Sequence, residues 1–246
     1  MKKFIKEKSL AIRVYDYLRA QIAEMEPGKN RLPSEEELSK SMGISRATVR
    51  EALKNLVAEG LVTTIHGKGT FTHPSALKVK NRADLCSDYY VLLSQSYNKV
   101  QINVLWQKEV SPSELFRQHF AGVPEAYSLG WAYNADGKTM LFCEFEICKK
   151  YIVKEPEDCI NMEDISLTRF SSHFMEAAID SCVSSQTIRK SKAAAEYFGL
   201  PTDAVMSCYE ELIYDINDNL VATGLVYVHH ENMRFYTIAH FETSQL

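Results

Sequence analysis

The run Leu32-Pro-Ser-Glu-Glu-Glu-Leu-Ser-Lys-Ser-Met-Gly-Ile-Ser-Arg-Ala-Thr-Val-Arg-Glu-Ala-Leu53 constrains this chain more than any other segment. Ser34, with Glu37 three residues on, makes a Ser-x-x-Glu capping box, and Pro33 discourages helix upstream of it. The spacing predicts a first short helix ending near Met42. Gly43 suits the left-handed residue that closes a helix. Ile44 can pack between two helices, and Ser45 caps the second. There Val49, Leu53 and Leu56 recur at helical spacing, with Ala52 and Val57 beside them, as a buried stripe. Arg46 and Arg50 stand one turn apart near the start of this helix, with Thr48 able to project near them. Two short helices across a glycine turn, with arginines opening the second, have the shape and chemistry of a helix laid in the major groove of DNA. A bidentate Arg–guanine pair discriminates by roughly 1–3 kcal/mol. The helix N-termini at Ser34 and Ser45 also offer free N–H groups to phosphates. An ordinary helical hairpin with a solvated arginine face shares this pattern, so the neighbouring residues decide between them.

Gly60 ends the second helix, and 61–65 is β-branched and strand-like. His66-Gly67-Lys68-Gly69 is a tight turn, after which Thr70-Phe-Thr72 returns as a second strand. This is a wing, with Lys68 at its tip between two glycines, where a cation can approach a phosphate groove. Upstream, Ala11, Tyr15, Leu18 and Ile22 predict an amphipathic helix terminated by Pro27-Gly28. Charge follows the same division. Residues 1–73 carry 13 Lys+Arg against 9 Asp+Glu, a balance of +4, while the remainder carries 15 against 23, a balance of −8. The basic balance falls where DNA would be read.

On the motifs Leu32-Pro-Ser-Glu, Leu38, Ser45-Arg-x-Thr-Val-Arg-x-Ala-Leu53, Leu56, Glu59-Gly-Leu61 and Gly67-Lys-Gly-Thr-Phe71, residues 14–71 resemble the DNA-binding domain of the GntR family of bacterial transcription regulators. The resemblance implies a homodimer on a short inverted repeat of double-stranded operator DNA. By position it implicates Ser34, Glu35, Arg46, Thr48, Arg50, Lys68, Gly69 and Thr70. Ser45, His66 and Gly67, from the helix cap and the wing turn, complete the candidate DNA-contacting set.

The 246 residues suit two domains: a winged helix-turn-helix over 1–73, a linker over 74–81 and a second domain over 82–246. No apolar run approaches a membrane span, and the basic N-terminus lacks a signal-peptide core. The six cysteines (86, 143, 148, 159, 182, 208) include no CxxC pair and read as reduced, packed thiols of a cytoplasmic protein. The second domain predicts strands over 100–110, 127–133, 139–148, 183–189, 205–216, 220–230 and 235–241. Helices are expected over 111–120, 166–180 and 192–198. Hairpins dominate, so the class is α+β, with a mostly antiparallel sheet and helices on one side. No Gly-rich phosphate loop, HExxH or GxSxG occurs in this domain, and nothing pairs a nucleophile with a base. No cofactor, metal or catalytic residue is expected.

The element order of this domain, with Ala135-Asp-Gly137 followed by Glu144, Ser166-Leu167, Gly199-Leu-Pro201 and Arg234-Phe235, resembles the UTRA effector-binding domain of the HutC-type GntR branch. That implies a chorismate lyase-like fold binding a small-molecule metabolite. The candidate effector contacts are Ser87, Tyr133, Glu144, Ser166 and His229. Many relatives carry arginine where Tyr133 stands, and Tyr-Arg where Val228-His229 stands. Their absence argues against a sugar phosphate, although Ser87 at a helix start could offer N–H groups to an anion. His229 and His230, as strand neighbours, should point to opposite faces and not chelate together. Trp106 and Trp131 read as core more than as ligand platforms. The function expected is a metabolite-responsive repressor released from its operator by effector. The alternatives are an enzyme of chorismate lyase-like fold on a DNA-binding tether, or an effector-independent DNA-binding protein.

Overall fold

The computed structural model of the chain describes residues 8–26, 28–85, 88–154 and 167–239. Two compact units divide it, Met1–Leu85 with Tyr236–Leu246, and Cys86–Phe235.

The first unit holds helices α1 (Leu10–Ala23), α2 (Glu35–Met42) and α3 (Arg46–Ala58). A small antiparallel sheet of β1 (Arg31–Leu32), β2 (Val62–Ile65) and β3 (Gly69–Thr72) has the order β1-β3-β2. Local chemistry sets the helix ends. The Glu37 N–H donates to Ser34 Oγ, and the Glu37 carboxylate receives the Ser34 N–H at 2.8 Å. Gly43, at φ 65°, turns the chain, and Ser45 caps α3 through the Thr48 N–H. The core joins Val14, Leu18 and Ile22 of α1 to Leu38 and to Val49, Ala52, Leu53 and Leu56 of α3. Two expectations shift. Val14 takes the inward place assigned to Tyr15, whose hydroxyl instead donates to the Glu59 carboxylate at 2.7 and 2.8 Å, tying α1 to the end of α3. Val57 is 44% exposed, because it lies a further 100° or so round the helix from buried Leu56.

The segment read as a linker also belongs to this unit. Ala76, in the 3-10 turn Ala76–Lys78, is buried in its core, and Arg82 reaches the Glu59 carbonyl and the Asp84 carboxylate. The strand expected over 235–241 reduces, within the described residues, to a single parallel bridge between Tyr236 and Arg82.

The second unit is a six-stranded sheet of β4 (Val100–Val110), β5 (Ala126–Ala135), β6 (Lys138–Cys148), β7 (Ile179–Lys190), β8 (Val205–Asp215) and β9 (Leu220–Val228). Its order is β4-β5-β6-β9-β8-β7, antiparallel throughout. Helices α4 (Tyr89–Ser94), α5 (Glu114–His119), α6 (Leu167–Phe174) and α7 (Lys192–Phe198) complete it. They cover both faces, not one. Leu92, Leu93 and Phe170 pack with Cys143, Phe145 and Ile147 of β6, whereas Ala194, Ala195 and Phe198 pack with Phe142, and Phe116 with Cys148. Both parities of β6 are therefore apolar, and two-sided burial follows from the pleat. The α6 helix stops at Phe174, and β7 begins at Ile179, where helix was expected to 180. Pairing of Ile179 with Asp215 and of Cys182 with Ile213 overrides the local helical signal. Two glycines admit rings across the ladder. A Cβ at Gly130 would lie 2.3 Å from the Trp106 ring, and one at Gly224 2.3 Å from the Phe145 ring.

Candidate DNA interface and ligand pocket

At the start of α3, Arg46 and Arg50 are both exposed, and each rests on a carboxylate from α2. Arg50 donates through Nη2 to Glu35 at 2.7 Å and through Nε at 3.2 Å, and Arg46 Nη2 lies 2.8 Å from Glu36. The Arg50 hydrogen bond holds the Glu35 carboxyl below its usual range, and Glu35 raises Arg50 in turn. Exposed pairs of this kind are weak, so phosphate or guanine can displace the carboxylates. Glu35 thus aims Arg50. Thr48 Oγ1 lies 2.8 Å from Ser45 Oγ at the same helix start.

On the wing, the Lys68 N–H closes the turn onto the Ile65 carbonyl at 3.1 Å, and His66, Gly67 and Lys68 are exposed at the tip. Thr70 faces Thr64 across the hairpin. Gly69, at φ 113°, lies under the Arg31 side chain, since a Cβ there would stand 2.9 Å from Arg31 Nε. Arg31 therefore adds a cation at the wing base. The sequence reading missed it because a two-residue strand leaves no period to detect.

The second unit contains a cavity of about 260 Å³ whose lining includes Tyr89, Trp131, Tyr133, Phe145, Cys182 and Glu211. Trp131 and Phe145 stack in parallel, 5.0 Å between centroids, on one wall. Glu211 is buried and accepts a hydrogen bond from the Tyr89 hydroxyl. Burial pushes its carboxyl up to about 7, with the Tyr89 bond opposing, and burial likewise raises Tyr89 and Tyr133. The nearby Trp131 indole N–H opposes that rise at Tyr133, yet it makes no hydrogen bond and remains a buried donor without a partner.

Of the expected effector contacts, Tyr133 lines this cavity. Glu144 does not. It occupies the opposite β6 parity and opens onto a second cavity of about 160 Å³ with Glu146, Trp106 and Ser128. Burial raises its carboxyl, and Glu146 adds to the rise. Glu146 itself receives the Ser113 N–H and hydroxyl at the cap of α5. His229 packs edge-on against Phe198 at 5.2 Å, with burial holding its imidazole below the usual range. Contrary to the strand expectation, the His229 and His230 rings stack at 5.5 Å, because β9 ends at Val228 and the pleat no longer separates them. Ser87 and Ser166 lie outside the described residues. The sequence reading took Trp131 for core and passed over Tyr89 as a ligand contact and Glu211 altogether. One signal for Glu211 was present: by strand period it shares a face with Tyr209 and Ile213, an acid at an apolar position.

Comparison with known proteins agrees with this geometry. The profile of bacterial regulatory proteins of the gntR family matches residues 10–72. The chain is 48% identical over 60 residues to the HTH-type transcriptional repressor NagR of Bacillus subtilis, an alignment spanning 24% of this chain and 24% of NagR. Its fold resembles that of YydK from Bacillus subtilis, described as a possible transcriptional regulator, with a TM-score of 0.72 at 17% identity over 95% of this chain and 100% of YydK. The ligand-binding domain of a GntR-family regulator from Bordetella bronchiseptica matches 59% of this chain and 91% of its own at a TM-score of 0.52 and 8% identity. Both likenesses are of fold. Capped helices, exposed arginines and wing give residues 10–72, the span that the gntR-family profile matches, the form of a winged helix-turn-helix.

Proposed function

We propose that the chain is a metabolite-responsive transcription regulator, a repressor that binds an inverted-repeat operator as a homodimer and leaves it when a small molecule fills the cavity of the second unit. The observation that carries this is the pair Arg46 and Arg50, exposed at the first turns of α3 and anchored only by displaceable carboxylates. The relationship of the DNA-binding residues to the repressor NagR supports the sign. The aromatic-lined cavity supports the ligand. A ligand changes DNA affinity only by binding the DNA-competent and incompetent arrangements unequally.

Selection of duplexes from a random library tests it. The wild-type protein should enrich a short inverted repeat, and the double Arg46→Ala, Arg50→Ala variant should enrich none. Enrichment of the same repeat by the double variant would falsify the recognition helix.

A further inference from the structure

We propose that the cavity of the second unit takes a small cation: an ammonium-bearing molecule with a flat apolar body and a hydroxyl or other acceptor remote from the charge. The inference rests on the regulator reading only in treating this cavity as the effector site.

Charge is the first ground. Among the described residues lining the cavity, every charged side chain is a carboxylate, Asp88, Asp180 or Glu211, and none is Lys, Arg or His. Asp88 accepts the Tyr90 and Val91 N–H groups at 2.9 and 3.2 Å and the Thr168 hydroxyl at 3.3 Å. Among the described lining residues, an anion entering here would lose its hydration and meet only like charge. A cation would meet three carboxylates and an aromatic wall of Tyr89, Tyr133 and the stacked Trp131–Phe145 pair, rings whose faces attract positive charge.

The second ground is independent. Trp131 is 3% exposed and lines the cavity, and its indole N–H, although near the Tyr133 phenol, makes no hydrogen bond. A buried donor without a partner is costly and uncommon. An acceptor on the ligand satisfies it, which is why the molecule needs a hydroxyl or carbonyl in addition to its charge.

Burial raises the Glu211 carboxyl, and the groups facing it are Tyr89 of α4, Tyr133 of β5, Cys143 of β6 and Cys182 of β7, with Asp88 and Asp180 on the same cavity wall. None of these supplies a positive charge. A bound ammonium would, so cation affinity should fall as pH drops below about 7.

Titration calorimetry on the full chain with three probes tests the proposal: tyramine, phenethylamine, which lacks the hydroxyl, and 4-hydroxyphenylacetate, which replaces the ammonium end by a carboxylate. Tyramine should bind, phenethylamine about tenfold more weakly, and the acid not measurably. Glu211→Gln and, at the exposed Asp180, Asp180→Asn should each weaken tyramine several-fold. Trp131→Phe should erase the preference for tyramine over phenethylamine. Tyramine failing to bind, the acid binding as well as the amine, or tyramine affinity unchanged in both carboxylate variants overturns the proposal. Asp180→Asn keeps the test open if Glu211→Gln does not fold. Tyramine that binds as expected without altering operator affinity upholds the cavity chemistry and overturns the cavity's role in regulation.

Discussion

Replacing Glu211 by glutamine should change how the stability of the second unit depends on pH. The side chain sits on β8 at 4% exposure, and burial raises its carboxyl from 4.5 to about 7. A carboxyl raised in the folded state contributes stability that is complete below its unfolded value of 4.5 and is lost as pH rises through about 7. Applying linkage to these two values gives a loss of about 2–3 kcal/mol from this group between pH 5 and pH 8. Glutamine keeps a carbonyl oxygen for the Tyr89 hydroxyl and does not titrate, so the variant should lack this component. Both tryptophans of the chain, Trp106 and Trp131, lie in this unit, so urea unfolding followed by their fluorescence reports on it directly. The measurement is the unfolding free energy of wild type and Glu211→Gln at pH 5 and pH 8. The wild type should fall by about 2–3 kcal/mol more than the variant over that interval. Parallel pH dependence of the two proteins would show that Glu211 ionises as an ordinary surface carboxyl, and the burial argument would be wrong.

Other perturbations probe different parts of the molecule. Gly224→Ala would place a methyl 2.3 Å from the Phe145 ring, so it should cost about 1–3 kcal/mol in the same fluorescence assay and loosen the Trp131–Phe145 wall. Unchanged stability would mean that the ring has room to turn. Lys68→Ala, at the exposed wing tip, should weaken binding about equally on operator and random DNA. It should also reduce the log–log salt slope by about 1; an unaltered slope places Lys68 away from phosphate. Ser34→Ala removes the capping box of α2 and should cost about 1 kcal/mol by calorimetric unfolding, whereas no change would deny the cap any energetic role.

The two units differ in how far they could be read from the chain. In the first, the informative signals are local. Ser34 and Glu37 lie three residues apart, Gly43 sits at the turn it makes, and Leu18 and Ile22 share one helical stripe. Each answers to a hydrogen bond or a helical period spanning a few residues, so the helices, the wing and the exposed arginines were expected where they stand. The errors there are of partnership: Arg31 over Gly69, and Arg82 with Glu59 and Tyr236.

In the second unit, strand-forming segments and hairpin turns were legible through period two and turn residues, while the site was not. Tyr89 and Glu211 meet although 122 residues separate them. Tyr133 and Glu144, nearer in sequence, part to opposite faces because directly paired residues share a face: Trp131, Tyr133 and Phe145 point to the cavity, while Glu144 pairs with Gly130 on the other side of the sheet. The sequence by itself determined where the capped helices, the wing and the exposed arginines stand, because caps and helical periodicity are short-range chemistry. Only the tertiary structure decided which residues enclose a ligand and what charge they present. Sheet order and pleat bring distant side chains to one cavity, and no local period records that meeting.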